Sequence, residues 1–118
     1  MSAGRPPLTP GVYRAAGAGP TAAALRGAGW DARVVAPARS TPDLYAALAA
    51  ALDLPDWFGA NLDAFWDCLA ELRAPTALVL AGWDAFARAE PVDARRVVDL
   101  LAERARQDPP LVAVLVRG

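Results

Sequence analysis

The sequence contains no histidine and no lysine among its 118 residues, and it has one cysteine, Cys68. The lack of histidine removes the most common general base and metal ligand, together with any Ser–His or Cys–His nucleophilic pair. A lone cysteine excludes an intrachain disulfide and a cysteine-based zinc site. An enzyme is therefore the least favoured class of protein, and we expect no metal and no other cofactor.

Long apolar runs are also missing, because no segment reaches the roughly 18 uninterrupted apolar residues of a membrane-spanning helix. Residues 1–10 contain three prolines and one arginine, and they lack the apolar segment of a signal peptide. We expect them to form a flexible arm ahead of a single domain over residues 11–118. These features predict a cytoplasmic protein that does not bind membranes.

The charge is small in total and uneven along the chain. The composition, 55% hydrophobic and 21% charged, is typical of a folded domain. A net charge of −1 argues against a general nucleic-acid-binding protein. All twelve basic residues are arginines, yet residues 40–72 contain six acidic residues and no basic one. This acidic segment is therefore the candidate site for binding a basic partner.

Short apolar segments alternate with segments of helical periodicity. The predicted strands are 12–15, 30–36, 76–81 and 111–116. The predicted helices are 20–26, one from Ser40 or Thr41 to Leu52, 61–73 and 92–106. A helical turn is predicted over 83–88. This alternation is typical of the α/β class, with a small, mainly parallel sheet packed with helices.

The helix that begins after Asn61 has two distinct faces. Its apolar stripe consists of Leu62, Phe65, Leu69 and Leu72. On nearly the opposite face lie Asp63, Asp67 and Glu71, with Trp66 at the border. Like charges at this spacing destabilise a helix, so the face suggests a basic partner. The alternative is an ordinary solvated face.

Three other patterns have weaker interpretations. Gly17-x-Gly19-x-x-Ala22 resembles a dinucleotide fingerprint, but no acidic residue follows on the next strand, so a glycine-rich helix start is favoured. Asp63 and Asp67 face solvent, which does not favour an acid–base pair or a calcium site. Cys68 flanks the apolar stripe, which favours a buried thiol over a nucleophile.

Residues 54–69, with the sequence LPDWFGANLDAFWDCL, closely resemble the central motif of the barstar family. Members of this family are small intracellular inhibitors of secreted bacterial ribonucleases of the barnase type. The resemblance covers about residues 31–118. It implies a three-stranded parallel sheet packed with helices, to which the 12–15 segment would add a fourth strand.

The resemblance also implies a binding site, in which residues 56–71 occupy the ribonuclease active site and their acids imitate substrate phosphates. Asp67 matches the family acid that lies deepest among the cationic groups of the enzyme. An acid on the last helix matches Glu103 or a neighbour. The candidate partner-binding residues are Trp57, Phe58, Gly59, Asn61, Asp63, Trp66, Asp67, Glu71 and Glu103.

The function that follows from this resemblance is that of a non-catalytic bacterial inhibitor, an antitoxin or immunity protein. We expect it to be monomeric when free and to bind a basic, barnase-like ribonuclease rather than nucleic acid. The alternative is a non-inhibitory interaction module on the same scaffold that regulates another basic protein. A ribonuclease inhibition assay would distinguish the two.

Overall fold

The computed structural model describes residues 8–55 and 59–118. The strands are β1 (Gly11–Ala15), β2 (Asp31–Val35), β3 (Thr76–Leu80) and β4 (Leu111–Val116); the helices are α1 (Ala18–Gly27), α2 (Thr41–Leu52), α3 (Leu62–Ala70), α4 (Trp83–Ala89) and α5 (Pro91–Arg104). The four strands form one sheet in the order β1-β4-β3-β2, and every neighbouring pair is parallel. The predicted α/β class is confirmed, and the N-terminal segment forms the fourth strand.

The two central strands, β3 and β4, are buried along their whole length. In a strand, successive side chains point to opposite faces of the sheet, and here both sets are apolar except for Thr76 at the start of β3. Leu78 and Leu80 join the core under α2, α3, α4 and α5. Ala77 and Val79 join a second core on the other face, which α1 covers. The helices are therefore divided between the two faces, with α3 on the more heavily covered one.

Phe65 and Leu69 anchor α3 to the sheet, and both are 0% exposed. Leu62 and Leu72, which the sequence placed on the same apolar stripe, are half-buried and pack against the same core. The predicted apolar face of α3 is therefore confirmed, with its centre more deeply buried than its ends.

The helix ends differ from the predicted ones in places. α3 ends at Ala70 rather than at Arg73. Its last turn tightens, because the Glu71 amide donates to the Cys68 carbonyl and the Leu72 amide to the Leu69 carbonyl, each at 3.2 Å. Pro75 follows shortly after, where a helix cannot continue.

Ser40, rather than Thr41, is the N-cap of α2. Its hydroxyl oxygen accepts a hydrogen bond from the Asp43 amide at 3.2 Å. The Thr41 hydroxyl lies 2.6 Å from a carboxylate oxygen of Asp93 and 3.0 Å from one of Glu90. Thr41 thus connects the start of α2 to the start of α5.

The remaining predicted elements agree closely with the observed ones. α1 begins two residues before Pro20, α4 is a short helix where a helical turn was predicted, and α5 ends at Arg104 rather than at 106. No helix in the described ranges is both long and apolar enough to cross a bilayer.

The predicted flexible arm lies mostly outside the described residues, which begin at Leu8. Leu8 packs against the core on the α1 face. The Tyr13 hydroxyl donates to the Thr9 carbonyl at 2.6 Å. The division into an arm and a single domain stays a prediction.

Replacing Phe65 with alanine should lower the free energy of unfolding by about 3–5 kcal/mol, because it leaves a cavity under α3. Asp63→Ala, on the exposed face of the same helix, should change it by less than about 0.5 kcal/mol. Urea unfolding of both variants measures the difference. Equal losses would show that the two faces of α3 have been assigned wrongly.

Candidate protein-binding site

The start of α3 is held by Asn61, which caps the helix as its sequence position predicted. Its backbone is extended, and its side-chain Oδ1 accepts a hydrogen bond from the Ala64 amide at 2.8 Å. Its side-chain Nδ2 donates to the Gly59 carbonyl at 3.1 Å. One side chain therefore satisfies an otherwise unpaired helix amide and fixes the loop that leads into the helix.

Gly59 and Ala60 lead into this cap. A Cβ atom on Gly59 would lie 3.1 Å from Asn61 Nδ2 and 3.4 Å from the Ala64 Cβ, closer than most such contacts. Ala60 has a left-handed backbone with φ of +50°, a conformation that costs a non-glycine residue about 1 kcal/mol. The predicted site residue Gly59 thus allows the loop to approach the helix start closely.

The three acidic residues of the predicted binding face are all exposed. Asp63 and Asp67 lie one turn apart on α3, and Glu71 follows at its C-cap. Among the described residues, none of the three takes part in an ion pair. Trp66 is half-buried at the border of this face, where the sequence placed it. The face therefore presents three carboxylates that no cation among residues 8–55 and 59–118 pairs with.

A groove of about 460 Å³ runs along one side of this face, between the end of α2 and α3. Its lining combines the apolar residues Leu52, Leu54 and Leu72 with the acidic residues Asp53, Asp67 and Glu71. A lining of this kind suits a long cationic side chain, whose aliphatic stem packs on apolar groups while its charged end meets carboxylates.

Cys68 lines the same groove and is half-buried. Burial raises the pKa of its thiol, and the charges of Glu71 and Asp67 raise it further. A thiol with a raised pKa is a poor nucleophile at neutral pH, as predicted, but Cys68 is half-buried rather than fully buried.

Arg104 ties the end of α5 to the end of α3, a role that the sequence did not reveal. Its side chain is 1% exposed, and its Nε donates to the Leu69 carbonyl at 3.0 Å. Burial lowers the pKa of its guanidinium, and the charge of Asp108 opposes this shift. The only signal in the sequence was a charged residue at helical spacing from the apolar residues Val97 and Leu101.

Glu103, the candidate contact on the last helix, is exposed in the final turn of α5. The bond from its neighbour Arg104 to Leu69 places this turn beside the end of α3. Trp57 and Phe58, and with them Asp56, lie outside the described residues. Within the described ranges, no three His, Cys, Asp or Glu side chains are grouped as metal ligands.

These features define a small parallel α/β protein whose exposed acidic helix is suited to a basic partner. A protein-family model described as Barstar (barnase inhibitor) matches residues 34–116. The chain therefore belongs to the barstar family, as its central motif predicted. The match begins within β2 and ends with β4, so β1 and α1 precede the matched region.

Replacing Asn61 with alanine should lower the free energy of unfolding by about 1 kcal/mol, because the Ala64 amide loses its partner. Hydrogen exchange at that amide should become faster. Ser40→Ala, which removes the cap of α2, should cost a similar amount of stability without changing the Ala64 amide beyond the global effect. Unchanged exchange at Ala64 in Asn61→Ala would show that the cap does not hold the start of α3.

Proposed function

We propose that this protein inhibits a basic, barnase-like ribonuclease by inserting the acidic face of α3 into its phosphate-binding site. The observation that carries the proposal is the set of three exposed carboxylates, Asp63, Asp67 and Glu71, on a capped and anchored helix. Membership of a family described as barnase inhibitors supports it.

The chemistry of the target explains why carboxylates suit this role. A ribonuclease needs cationic groups to bind the phosphates of its substrate, and carboxylates form charge-assisted hydrogen bonds with the same groups. They offer no phosphodiester bond to cleave. Because α3 is held by its Asn61 cap and by Phe65 and Leu69 in the core, little order has to be gained on binding.

The proposed contacts follow the geometry of the helix. Asp67 lies in the middle of the acidic face and enters deepest among the enzyme's cations. The half-buried Trp66 covers the edge of the contact, while Asp63 and Glu71 bind at either side. The other contacts in this proposal are Trp57, Phe58, Gly59, Asn61 and Glu103.

The proposal includes the setting in which the protein acts. It is a monomeric, non-catalytic antitoxin or immunity protein of the bacterial cytoplasm, and it binds neither nucleic acid nor membranes. Titration of barnase-like ribonucleases with the protein tests this: we expect stoichiometric loss of ribonuclease activity with at least one of them. Tight binding to a basic protein without loss of ribonuclease activity would favour the non-inhibitory interaction module instead.

Asp67→Ala should weaken ribonuclease binding by about 4 kcal/mol, roughly a thousandfold in Kd, because buried cations of the enzyme lose their partner. Most of the change should appear as faster dissociation. Asp43→Ala, an exposed acid in the first turn of α2, removes the same charge and should have a much smaller effect. Surface plasmon resonance measures both. Equal affinity of Asp67→Ala and wild type would place the binding site elsewhere.

The association rate constant should fall steeply as salt rises from about 50 to 500 mM, because the Debye length shrinks from roughly 14 to 4 Å over that range. Residues 40–72 carry six acidic and no basic residues, so they steer a basic partner towards α3. Stopped-flow binding at several salt concentrations measures this, and the dissociation rate should change less. An association rate that does not depend on salt would contradict docking through this surface.

A further inference from the structure

The last turn of α3 has an unfavourable charge distribution. The C-terminal end of a helix carries partial negative charge and is stabilised by cations. α3 has no basic residue in its last turn, and instead Asp67 and Glu71 stand at the like-charge spacing that destabilises a helix. A cation supplied from another part of the protein would lower this cost at the end of the helix.

Arg104 supplies the missing cation from a different helix. Its Nε donates to the Leu69 carbonyl at 3.0 Å, and Leu69 lies in the last turn of α3. The Leu69 carbonyl already accepts a hydrogen bond from the Leu72 amide at 3.2 Å, so the guanidinium supplies its second hydrogen bond. The guanidinium also brings positive charge to the negative end of the helix dipole.

The same guanidinium also holds the connection between α5 and β4. One of its terminal nitrogens lies 2.9 Å from the Pro109 carbonyl and 3.3 Å from the Gln107 carbonyl. The planar fork of arginine can donate in several directions at once, whereas a lysine ammonium is a compact point charge on a flexible stem. Arg104 therefore donates to three carbonyls in two backbone segments, the end of α3 and the connection after α5, while it is only 1% exposed.

Since Arg104 approaches α3 from the buried side, it does not pair with the carboxylates on the outer face. Asp67 and Glu71 are both exposed, and the backbone carbonyl of Leu69 is what the guanidinium binds. Arg104 thus compensates the helix end and leaves the charges of the acids available. It also sets the end of α5, with the exposed Glu103 one residue before it, against the end of α3.

We propose that Arg104 is a positioning residue, which holds the C-terminal turn of α3 against α5 so that Asp67, Glu71 and Glu103 form one binding surface before any partner arrives. The order of this turn is a property of the free protein. The consequence for ribonuclease binding rests on the proposed function.

The first experiment needs no partner. Arg104→Met should increase hydrogen exchange at the Glu71 and Leu72 amides by about tenfold or more, because local opening of the last turn becomes easier. Chemical modification of the Cys68 thiol, in that same turn, should become faster to a similar degree. Amides of β4 should change less, and Arg106→Met, which removes an exposed arginine of the same connection, should change neither readout.

Arg104→Lys separates the effect of the positive charge from that of the arginine hydrogen-bond geometry. It is also the variant to measure if Arg104→Met does not fold. It keeps the positive charge but not the fork, so the Glu71 and Leu72 amides should exchange faster than in the wild type while β4 keeps its protection. If the folded Arg104 variants retain wild-type exchange at both amides and wild-type Cys68 reactivity, Arg104 does not hold this turn and the proposal is wrong.

The second experiment uses a ribonuclease that the wild-type protein inhibits. Arg104→Lys should raise the dissociation rate, and in an Asp67→Ala background the same substitution should have a clearly smaller effect, since the two residues act through one surface. Fully additive effects would show that Arg104 contributes only general stability. If no ribonuclease binds, the proposed function fails, but the exchange experiment still decides the role of Arg104 in the free protein.

Discussion

The burial of β3 and β4 on both faces is the constraint on which the rest of the structure depends. Strands whose side chains are all buried, and all apolar except Thr76, require cover above and below the sheet. α1 supplies it on one face, while α2, α3, α4 and α5 supply it on the other. The acidic helix α3 thus covers the core, and the packing of its inward residues Phe65 and Leu69 holds its outward acidic face in a fixed position.

This arrangement explains how the protein tolerates a row of like charges. The cost of placing Asp63, Asp67 and Glu71 on one helix face is small compared with the burial of Phe65 and Leu69 on the other. The carboxylates can therefore remain exposed and, within the described part of the chain, without a paired cation, which is the state a basic partner would bind. The inward face of this short helix stabilises the fold, and the outward face is the proposed binding surface.

The first strand and helix of the chain precede the region that matches the barstar family, yet they are integral to the sheet. β1 pairs with β4, and α1 packs on the face of the sheet opposite α3. Since both lie away from the acidic face, they enlarge the core without reshaping that surface. A family fold can be extended in this way while the helix of the proposed binding surface is left in place.

Local patterns in the sequence were sufficient for the class of fold, the Asn61 cap and the two faces of α3, because caps and periodicity depend on neighbouring residues. The sixteen-residue barstar motif likewise identified the family. The strand order was not predictable, since nothing in four short apolar segments indicates which strand pairs with which. The role of Arg104 was also hidden: its partner, Leu69, is 35 residues away and contributes a backbone carbonyl. Every residue has that group, so only the folded chain decides which one the guanidinium meets.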